Sequence, residues 1–315
     1  MKLIKQIFWV AYISLFVNYQ KKRLVKIGKT FFSLIGSFWT FIEITSYLLD
    51  SLKKNGGLNN YELAFRGFIW NNLFLEFLFF LILSFYINRI KQKTIVSLNG
   101  SDLEIEFKYC DIFLQNGAKI IPVVDTFDTD FNNNLVDPKT LHGMVISKFY
   151  SNKISILDNE ISSSLLNTKS SPILNNDNLK GKKRKYEIGT TVILEPHQDY
   201  YYLTALTSMT ETGNVQIQPS YLYEFLTNIW QFIPNHGKYF ETINIPIIGK
   251  GINRLPPEYT HERILLEIVN SYMTSVREKA FCKKLRICIF YKESSYIDLE
   301  KITSYVEHQK KYNFI

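Results

Sequence analysis

Cysteine and histidine are scarce in the 315-residue chain, and this scarcity excludes several kinds of site. The three cysteines, Cys110, Cys282 and Cys288, form no CxxC pair, and the five histidines form no HExxH motif. This spacing argues against a structural zinc site. It favours a reduced, cytosolic setting for the globular part, and the sequence predicts neither a metal nor a cofactor.

Phosphate-binding glycine motifs are missing as well. There is no Walker lysine motif and no GxGxxG, so neither a P-loop nor a dinucleotide-binding fold is supported. The charge excess is moderate, since 37 basic and 29 acidic residues give +8. Much of the excess lies beside apolar stretches, which favours the inner face of a membrane over nucleic acid. The basic run GKKRK at residues 181–185 is interpreted as a solvated loop.

Long apolar runs are present near the N-terminus. Residues 31–49 and 67–87 contain a single charge each. At about 1.5 Å per residue, each helix would reach roughly 30 Å, the thickness of a hydrocarbon core. The alternative is a pair of buried core helices, but the second run is apolar on all sides. Residues 30–93 are therefore predicted to form a transmembrane hairpin.

Basic residues predict the orientation of this hairpin. Five of them lie at residues 21–29, directly before the first span, and three lie at residues 89–93, directly after the second, whereas the short connecting loop at residues 50–66 contains three. By the positive-inside rule, both flanks face the cytoplasm at the cell (inner) membrane, and so does everything after the hairpin. Within the N-terminal segment 1–29, residues 3–17 are predicted to be an interfacial amphipathic helix in contact with membrane lipid. A third span is the alternative.

Each predicted span carries one carboxylate, Glu43 in the first and Glu76 in the second. Asn72 lies four positions before Glu76 and shares its helix face. A charged side chain at that depth costs about 2.5–3.5 kcal/mol on insertion scales, so it normally faces a partner or a cavity. One hypothesis is that this polar stripe mediates assembly of a homo-oligomer or lines an opening in it. The other is a protonated glutamate that is hydrogen-bonded within the hairpin.

Residues 94–315 have the pattern of an α/β layered domain with a mixed sheet. Helical periodicity appears at Tyr221–Ile233 and at Thr260–Arg277, with Thr260 as N-cap. Residues 151–185 are rich in Ser, Asn and Lys, and are predicted to be a long surface excursion. The predicted strands are Asp102–Cys110, Lys119–Val124, Thr191–Glu195, Tyr200–Met209, Ile243–Ile248 and Leu285–Tyr291.

Two strand ends are candidates for ligand contact, because ligands collect beyond the carboxyl ends of strands in open α/β sheets. The strand at 119–124 leads into residues 125–129, and the strand at 243–248 leads into Gly249-Lys250-Gly251. Glycines permit a positive φ and a close backbone approach, and exposed amides in such a turn form an anion site. Lys250 or Arg254 could add positive charge. The alternative is a plain turn.

Four short motifs carry a family resemblance. They are Cys110-Asp111-Ile112, IIPVVDTFDT at 120–129, Leu141-His142-Gly143, and IPIIGKG at 245–251, followed by a long helix taken to be the last. Their order resembles that of macro domains, and most closely the divergent macro domain of membrane-anchored Thoeris antiphage effectors. The resemblance implies an N-terminal transmembrane α-hairpin followed by a three-layer α/β macro domain with a mixed central sheet. It covers nearly the whole chain.

The resemblance also implies roles for individual residues. Asp111, with Ile112 beside it, would accept a hydrogen bond from an adenine amino group, although a plain surface aspartate is the alternative. The backbone of Gly249, Lys250, Gly251, Ile252, Asn253 and Arg254 would hold a diphosphate. The distal ribose would be enclosed by Thr126, Phe127, Asp128, Thr129 and Gly143. Macro hydrolases have an Asn-rich motif after the first central strand, which this sequence lacks there. Recognition without turnover is therefore expected, so the chain is not expected to be an enzyme.

The function implied by the resemblance is that of a signal receptor. In Thoeris systems a partner TIR-domain enzyme consumes NAD and releases a signalling nucleotide, which for this branch is an ADP-ribose conjugated to histidine. Its binding to the macro domain would trigger the membrane portion and arrest growth, an abortive infection response. The alternatives are a membrane-tethered hydrolase of ADP-ribose derivatives and a passive membrane scaffold.

Overall fold

The structure is a computed structural model that describes residues 20–54, 61–89, 91–98, 102–133, 135–172, 180–251 and 254–313. The predicted interfacial segment 3–17 lies outside the described residues. The chain divides into two compact units, Met1–Lys91 and Gln92–Ile315. Each unit is described by itself below.

The first unit contains two helices, α1 (Gln20–Lys54) and α2 (Tyr61–Ile87), of 35 and 27 residues. They run antiparallel, since Asn88 at the end of α2 donates to the Thr30 hydroxyl near the start of α1, at 3.0 Å. Aromatic rings pack between them, with centroids 4.7 Å apart for Phe31 and Phe77. Both predicted spans fall inside these helices.

Large apolar side chains cover the outside of this unit. Phe74 is 78% exposed and Phe32 is 71% exposed. In the two most apolar stretches, Leu24–Leu48 and Trp70–Ile87, only 17% and 6% of the residues are buried. Within this unit, the two helices leave this apolar surface exposed.

The second unit alternates strands and helices around a mixed sheet. Its helices are α3 (Leu141–Phe149), α4 (Ile154–Leu165), α5 (Pro219–His236), α6 (His261–Glu278) and α7 (Leu299–Asn313). Its strands are β1 (Lys93–Ser97), β2 (Glu104–Tyr109), β3 (Ala118–Val124), β4 (Ser170–Pro172), β5 (Arg184–Tyr186), β6 (Thr191–Leu194), β7 (Tyr201–Met209), β8 (Val215–Gln216), β9 (Phe240–Pro246) and β10 (Cys282–Ile289). The predicted α/β class with a mixed sheet is confirmed.

The main sheet has the strand order β1-β2-β10-β9-β3-β7-β6, and β8 pairs with β7. In this spatial order, the five strands β2, β10, β9, β3 and β7 are all parallel to one another. The two edge strands, β1 and β6, pair antiparallel with their neighbours. The strands β4 and β5 form a separate two-stranded ladder. Five carboxyl ends therefore meet at one edge of the sheet, the edge at which α/β proteins bind ligands.

Helices cover both faces of the sheet, which gives three layers. Alternate residues of β7 point to opposite faces. Tyr201 and Leu203 join a buried cluster with α3 and α4. Tyr202 points the other way and contacts Phe232 of α5, and α5 in turn packs on α6 through Trp230 and Tyr272, with ring centroids 5.7 Å apart.

A row of buried polar side chains crosses the middle of the sheet. Glu106 of β2 accepts from Arg286 of β10 at 2.5 Å, and the Arg286 guanidinium donates to Asn244 of β9 at 3.2 Å. The Asn244 amide then donates to the Ala118 carbonyl of β3 at 3.0 Å. Asn244 is fully buried, so each of these polar groups depends on the next for its hydrogen bonds.

All six predicted strands are present, with ends shifted by at most three residues. Thr260 is the predicted N-cap of α6, and its hydroxyl accepts from the Arg263 amide. The prediction for residues 151–185 is wrong in part, because 154–165 form the helix α4. Leu157, Ile161 and Leu165 recur at every fourth position there and are buried. The helix ending at Glu278 is not the last one, since α7 follows.

Candidate functional site

The turn after β9 is closed by its own backbone. The Leu255 amide donates to the Gly249 carbonyl at 3.0 Å, and the Arg254 side chain donates to the Gly251 carbonyl at 3.2 Å. Gly249 has a φ of +71°, and a Cβ added there would lie 2.6 Å from a Leu255 methyl. Glycine is therefore required at position 249 by both backbone and packing.

Gly251 in the same turn differs from Gly249. Its φ lies outside the positive region, and a Cβ added there would meet no described residue within 4 Å. Position 251 therefore faces open space, where a ligand could approach the backbone. The predicted contacts Ile252 and Asn253 lie outside the described residues.

Asp111 follows β2 at the same edge of the sheet. One of its carboxylate oxygens accepts from the Phe113 amide at 2.9 Å and so caps the short 3₁₀ helix Ile112–Leu114. The Asp111 side chain is half-buried at the surface. Ile112 points into the hydrophobic core and therefore contributes packing to this region.

The topology brings the predicted ligand-binding residues to one edge of the sheet, but it places them at the ends of different strands. The glycine turn follows β9 and residues 125–129 follow its neighbour β3, whereas Asp111 lies on the far side of β10. With strands about 4.8 Å apart, Asp111 and the glycine turn are roughly 10 Å apart along this edge. An extended ligand with two recognised ends fits this spacing better than a compact one.

Residues 125–129 point inward. Asp125 accepts from the Ser208 hydroxyl at 2.6 Å and from the Met209 amide at 2.9 Å. Asp128 accepts from Thr126 at 2.6 Å and from the Lys182 amide at 2.7 Å. Burial raises the pKa of both carboxyls, and these hydrogen bonds oppose that rise.

Lys182 stabilises the turn at residues 125–129 through contacts of its side chain. Its ammonium donates to the Phe127 carbonyl at 2.7 Å and pairs with Asp158 at 2.7 Å. Asp158 also accepts from the Thr129 hydroxyl at 2.8 Å. The interpretation of residues 181–185 as a purely solvated loop is therefore wrong for Lys182.

The burial of residues 126–129 affects their predicted role in contacting a ribose. The side chains of Thr126, Phe127, Asp128 and Thr129 are at most 4% exposed, and Phe127 is held at a φ of +51°. Gly143 lies in the first turn of α3, where its amide donates to Thr140 and a Cβ would collide with the Asp137 carbonyl. These five residues pack the protein interior in this conformation, and their contact with a ribose stays a prediction.

Sequence reasoning missed two aromatic side chains at this edge of the sheet, Phe290 and His261. Phe290 follows β10 directly and is 49% exposed between Asp111 and the glycine turn. His261 begins α6, and its ring stacks on Tyr296. Burial, and then Lys250 and Arg254, lower the pKa of His261. Phe290 could have been found from the sequence, because it is an aromatic residue directly after the last strand. No local sequence pattern distinguishes His261.

A cavity of about 370 Å³ lies beside this edge, between the ends of β3 and β7, the β4–β5 ladder and α5. Asp125, Ser208, Lys185 and Glu224 are among its lining residues, so polar groups and charges of both signs form part of the wall. No residue of the turn at 249–251 and 254 lines it. The sequence could not predict it, because five separate segments of the chain build its wall.

The structure shows one hydrogen bond of the predicted polar stripe in the first unit. Glu43 accepts from the indole nitrogen of Trp39, one turn earlier in the same helix, at 3.2 Å. Among the described residues, no hydrogen bond joins Glu43 to Glu76. In that same part of the chain, no group of three or more His, Cys, Asp or Glu side chains could hold a metal ion.

Comparisons with known proteins agree with the family resemblance. The family model described as "Thoeris protein ThsA, Macro domain" matches residues 105–290. The Thoeris protein ThsA of Bacillus amyloliquefaciens (strain Y2) is 27% identical over 166 residues, which are 50% of this chain and 52% of that protein. The chain thus spans about half the length of this curated relative.

Solved structures of a macrodomain from Oceanobacillus iheyensis are also similar. The structure with ADP is 12% identical, with a TM-score of 0.46 over 69% of this chain and 97% of that one. The structure with MES bound is 13% identical, with a TM-score of 0.46 over 69% of this chain and 98% of that one.

Proposed function

The chain belongs to the ThsA macro-domain family of the Thoeris antiphage defence systems, and on that premise we propose that it is a receptor for an ADP-ribose-derived signal. One observation carries the proposal. The open glycine turn and the half-buried carboxylate of Asp111 share one edge of the parallel strands, inside the region that the family model matches.

The ligand would lie along that edge. Backbone amides of the turn at 249–254 would hold its diphosphate, as amides do in concave anion sites. Asp111 would accept from the adenine amino group, since the contacts of the described residues engage only one of its carboxylate oxygens. The signal would be made from NAD by a partner TIR-domain enzyme, with histidine-ADP-ribose as the candidate.

We propose binding without hydrolysis. A hydrolase needs a side chain that can position or activate a water molecule near the distal ribose. Asp125 and Asp128 lie at that turn, but both oxygens of each carboxylate accept hydrogen bonds from the protein. This arrangement supports a receptor over the alternative of a membrane-tethered hydrolase.

The output would come from α1 and α2 as a transmembrane hairpin in the cell membrane, with the macro domain in the cytoplasm. The exposed apolar surface of both helices supports contact with lipid, and the basic flanks support this orientation. The ligand must bind the active, oligomeric state more tightly than the resting one. A shift from mostly resting to mostly active needs about 5.5 kcal/mol of differential binding.

Calorimetry on the full chain in lipid nanodiscs tests the receptor. ADP-ribose, its histidine conjugate, cyclic ADP-ribose and NAD would be titrated, and each ligand would then be recovered and analysed. We expect at least one ADP-ribose derivative to bind and to return intact. Turnover of a bound ligand would favour the hydrolase, and the absence of binding by all four would overturn the proposal.

The membrane output has its own test. Replacing both carboxylates, Glu43→Leu and Glu76→Leu, is expected to weaken assembly in nanodiscs and to reduce growth arrest when the TIR partner is active. Asn71→Leu is the matched control, because Asn71 is an exposed polar residue of α2 that does not share the helix face of Asn72 and Glu76. If the double variant assembles and arrests growth like the wild type, the polar stripe has no role in assembly or in growth arrest.

A further inference from the structure

Two lysines face each other across the first two strands of the second unit. In the antiparallel ladder between β1 and β2, Lys93 is directly opposite Lys108. Side chains that are directly opposite in such a ladder lie on the same face of the sheet, with Cβ atoms about 5 Å apart. Like charges in this arrangement repel each other and destabilise the ladder. Lys93 and Lys108 are called the lysine pair below.

The charge of the lysine pair is not compensated by a carboxylate of the protein. The Lys108 ammonium donates to the side-chain oxygen of Gln115 at 2.8 Å, and this acceptor is neutral. Lys93 is exposed. Neither ammonium forms a salt bridge with another residue in the part of the chain that the structure describes.

The acidic residues on the same face of the sheet are already paired. Glu106 lies two positions before Lys108 on β2, and it accepts from Arg286 at 2.5 Å. Glu104 lies two positions before Glu106 and pairs with Lys284 at 3.0 Å. Both of these cations come from β10. The excess positive charge on this face of β1, β2 and β10 therefore belongs to the lysine pair.

An exposed apolar side chain lies beside the lysine pair. Ile95 is two residues after Lys93 on β1, so its side chain lies on the same face of the sheet. Ile95 is 39% exposed, whereas Val96, which points to the opposite face, is fully buried. Basic side chains together with an exposed apolar one are typical of a surface that binds at the membrane interface.

The position of β1 in the chain favours a lipid over a soluble anion. Lys93 is the sixth residue after the end of α2, and Arg89 and Lys91 come between them in the sequence. Basic residues directly after a transmembrane span are attracted to the anionic lipids of the inner leaflet. Strand pairing adds Lys108 to this basic segment, although Lys108 comes later in the chain.

We propose that the lysine pair binds the phosphate groups of anionic phospholipids, and that the strands β1 and β2 contact the inner leaflet through this face. The inference rests on the membrane part of the proposed function, because it requires α2 to cross the membrane and the macro domain to be cytoplasmic. It adds a lipid-binding surface on the macro domain itself. A phosphate near both ammonium groups compensates their repulsion with two attractions.

Hydrogen exchange of the full chain in lipid nanodiscs tests this inference. Exchange at residues 93–97 would be compared between nanodiscs of phosphatidylcholine alone and nanodiscs of an equal mixture of phosphatidylcholine and phosphatidylglycerol. Each basic residue near an anionic leaflet strengthens binding by about fivefold. We therefore expect exchange at β1 to slow by at least about fivefold in the mixture. About 1 M salt, which shortens the Debye length to about 3 Å, should reduce this slowing.

Variants of the lysine pair identify the residues that respond to phosphatidylglycerol. Lys93→Gln combined with Lys108→Gln should abolish the slowing. Lys139→Gln combined with Lys153→Gln is the matched control, because it removes the same charge from two exposed lysines outside β1 and β2, and it should keep the slowing.

A charge reversal separates lipid binding from the stability of the ladder. Lys108→Glu places opposite charges across β1 and β2, which stabilises their pairing without a lipid. Exchange at residues 93–97 should then be slow already in phosphatidylcholine, and phosphatidylglycerol should not change it.

Two results would overturn the inference. One is an equal response to phosphatidylglycerol in the wild type and in the variant that lacks both lysines of the pair. The other is a slowing of the same size when glycerol phosphate is added to phosphatidylcholine nanodiscs, because the site would then bind a soluble phosphate and not a lipid surface.

Calorimetry with ADP-ribose derivatives in the same nanodiscs separates this inference from the receptor function. If a derivative binds but β1 does not respond to phosphatidylglycerol, the inference is overturned and the receptor function stands. If β1 responds as expected but no derivative binds, the lipid contact stands and the receptor function fails. If both responses are absent, both are overturned.

Discussion

The turns after β3 and β9 leave neighbouring strands at the same edge of the sheet, yet they are closed in opposite ways. The turn at 125–129 is closed by side chains, each with a partner in the protein. The turn after β9 is closed by the backbone hydrogen bond between Leu255 and Gly249, and Gly251 in this turn has open space beside it among the described residues. The first turn therefore behaves as scaffold and the second is available to a ligand. The predictions below test this division.

The largest effect is expected at Asp125. Asp125→Ala removes the acceptor for Ser208 and for the Met209 amide in a buried site, and should lower the free energy of unfolding by about 3 kcal/mol. Asp125→Asn keeps an acceptor and should lose less. Chemical denaturation of the full chain measures both. A stable Asp125→Ala variant that fails to bind nucleotide would place Asp125 in the ligand site instead.

The two glycines of the second turn should differ. Gly249→Ala forces an L-residue to a positive φ against Leu255, and should cost about 2 kcal/mol of stability. Gly251→Ala should leave stability within about 0.5 kcal/mol of wild type, because its Cβ meets open space. It should nevertheless weaken ADP-ribose binding measurably by calorimetry. Equal effects of both variants on stability would contradict the open turn.

A substitution at Lys182 tests how much this side chain stabilises the turn at residues 125–129. Lys182→Met removes two contacts of the ammonium, to Phe127 and Asp158, and keeps most of the apolar length of the side chain. We expect a loss of about 1 kcal/mol, since the ammonium is partly exposed, and faster hydrogen exchange at residues 126–129. Lys183→Met is the neighbouring control. Unchanged exchange in Lys182→Met would show that the turn holds itself.

The last prediction concerns pH. Burial raises the pKa of Glu293, in the 3₁₀ helix after β10, to about 7. An acid with a raised pKa contributes stability that is present below its unfolded value and is lost as the pH rises through about 7. Glu293→Gln should flatten the fall in unfolding free energy between acidic and neutral pH. The same slope in both proteins would contradict this assignment.

The sheet was predictable because its strands carry local signals. The run at 119–124 is apolar and compact, and the periodic residues of α6 follow a capping threonine. The inward closure of 125–129 was not predictable, because its partners Lys182 and Ser208 lie 54 and 83 residues from the aspartates that they contact. His261 was missed for the same reason, since its neighbours come from a turn and from a segment after β10.

The polar row of Glu106, Arg286 and Asn244 has a consequence for synthesis of the protein. The strand β10 comes last in the chain, but it lies between β2 and β9 in the sheet. A nascent chain that has not yet reached residue 286 has no guanidinium to satisfy Glu106 and Asn244. The sheet cannot close until β10 has left the ribosome. Nucleotide binding therefore becomes possible only after nearly all of the chain has been translated, and well after the two apolar helices have emerged.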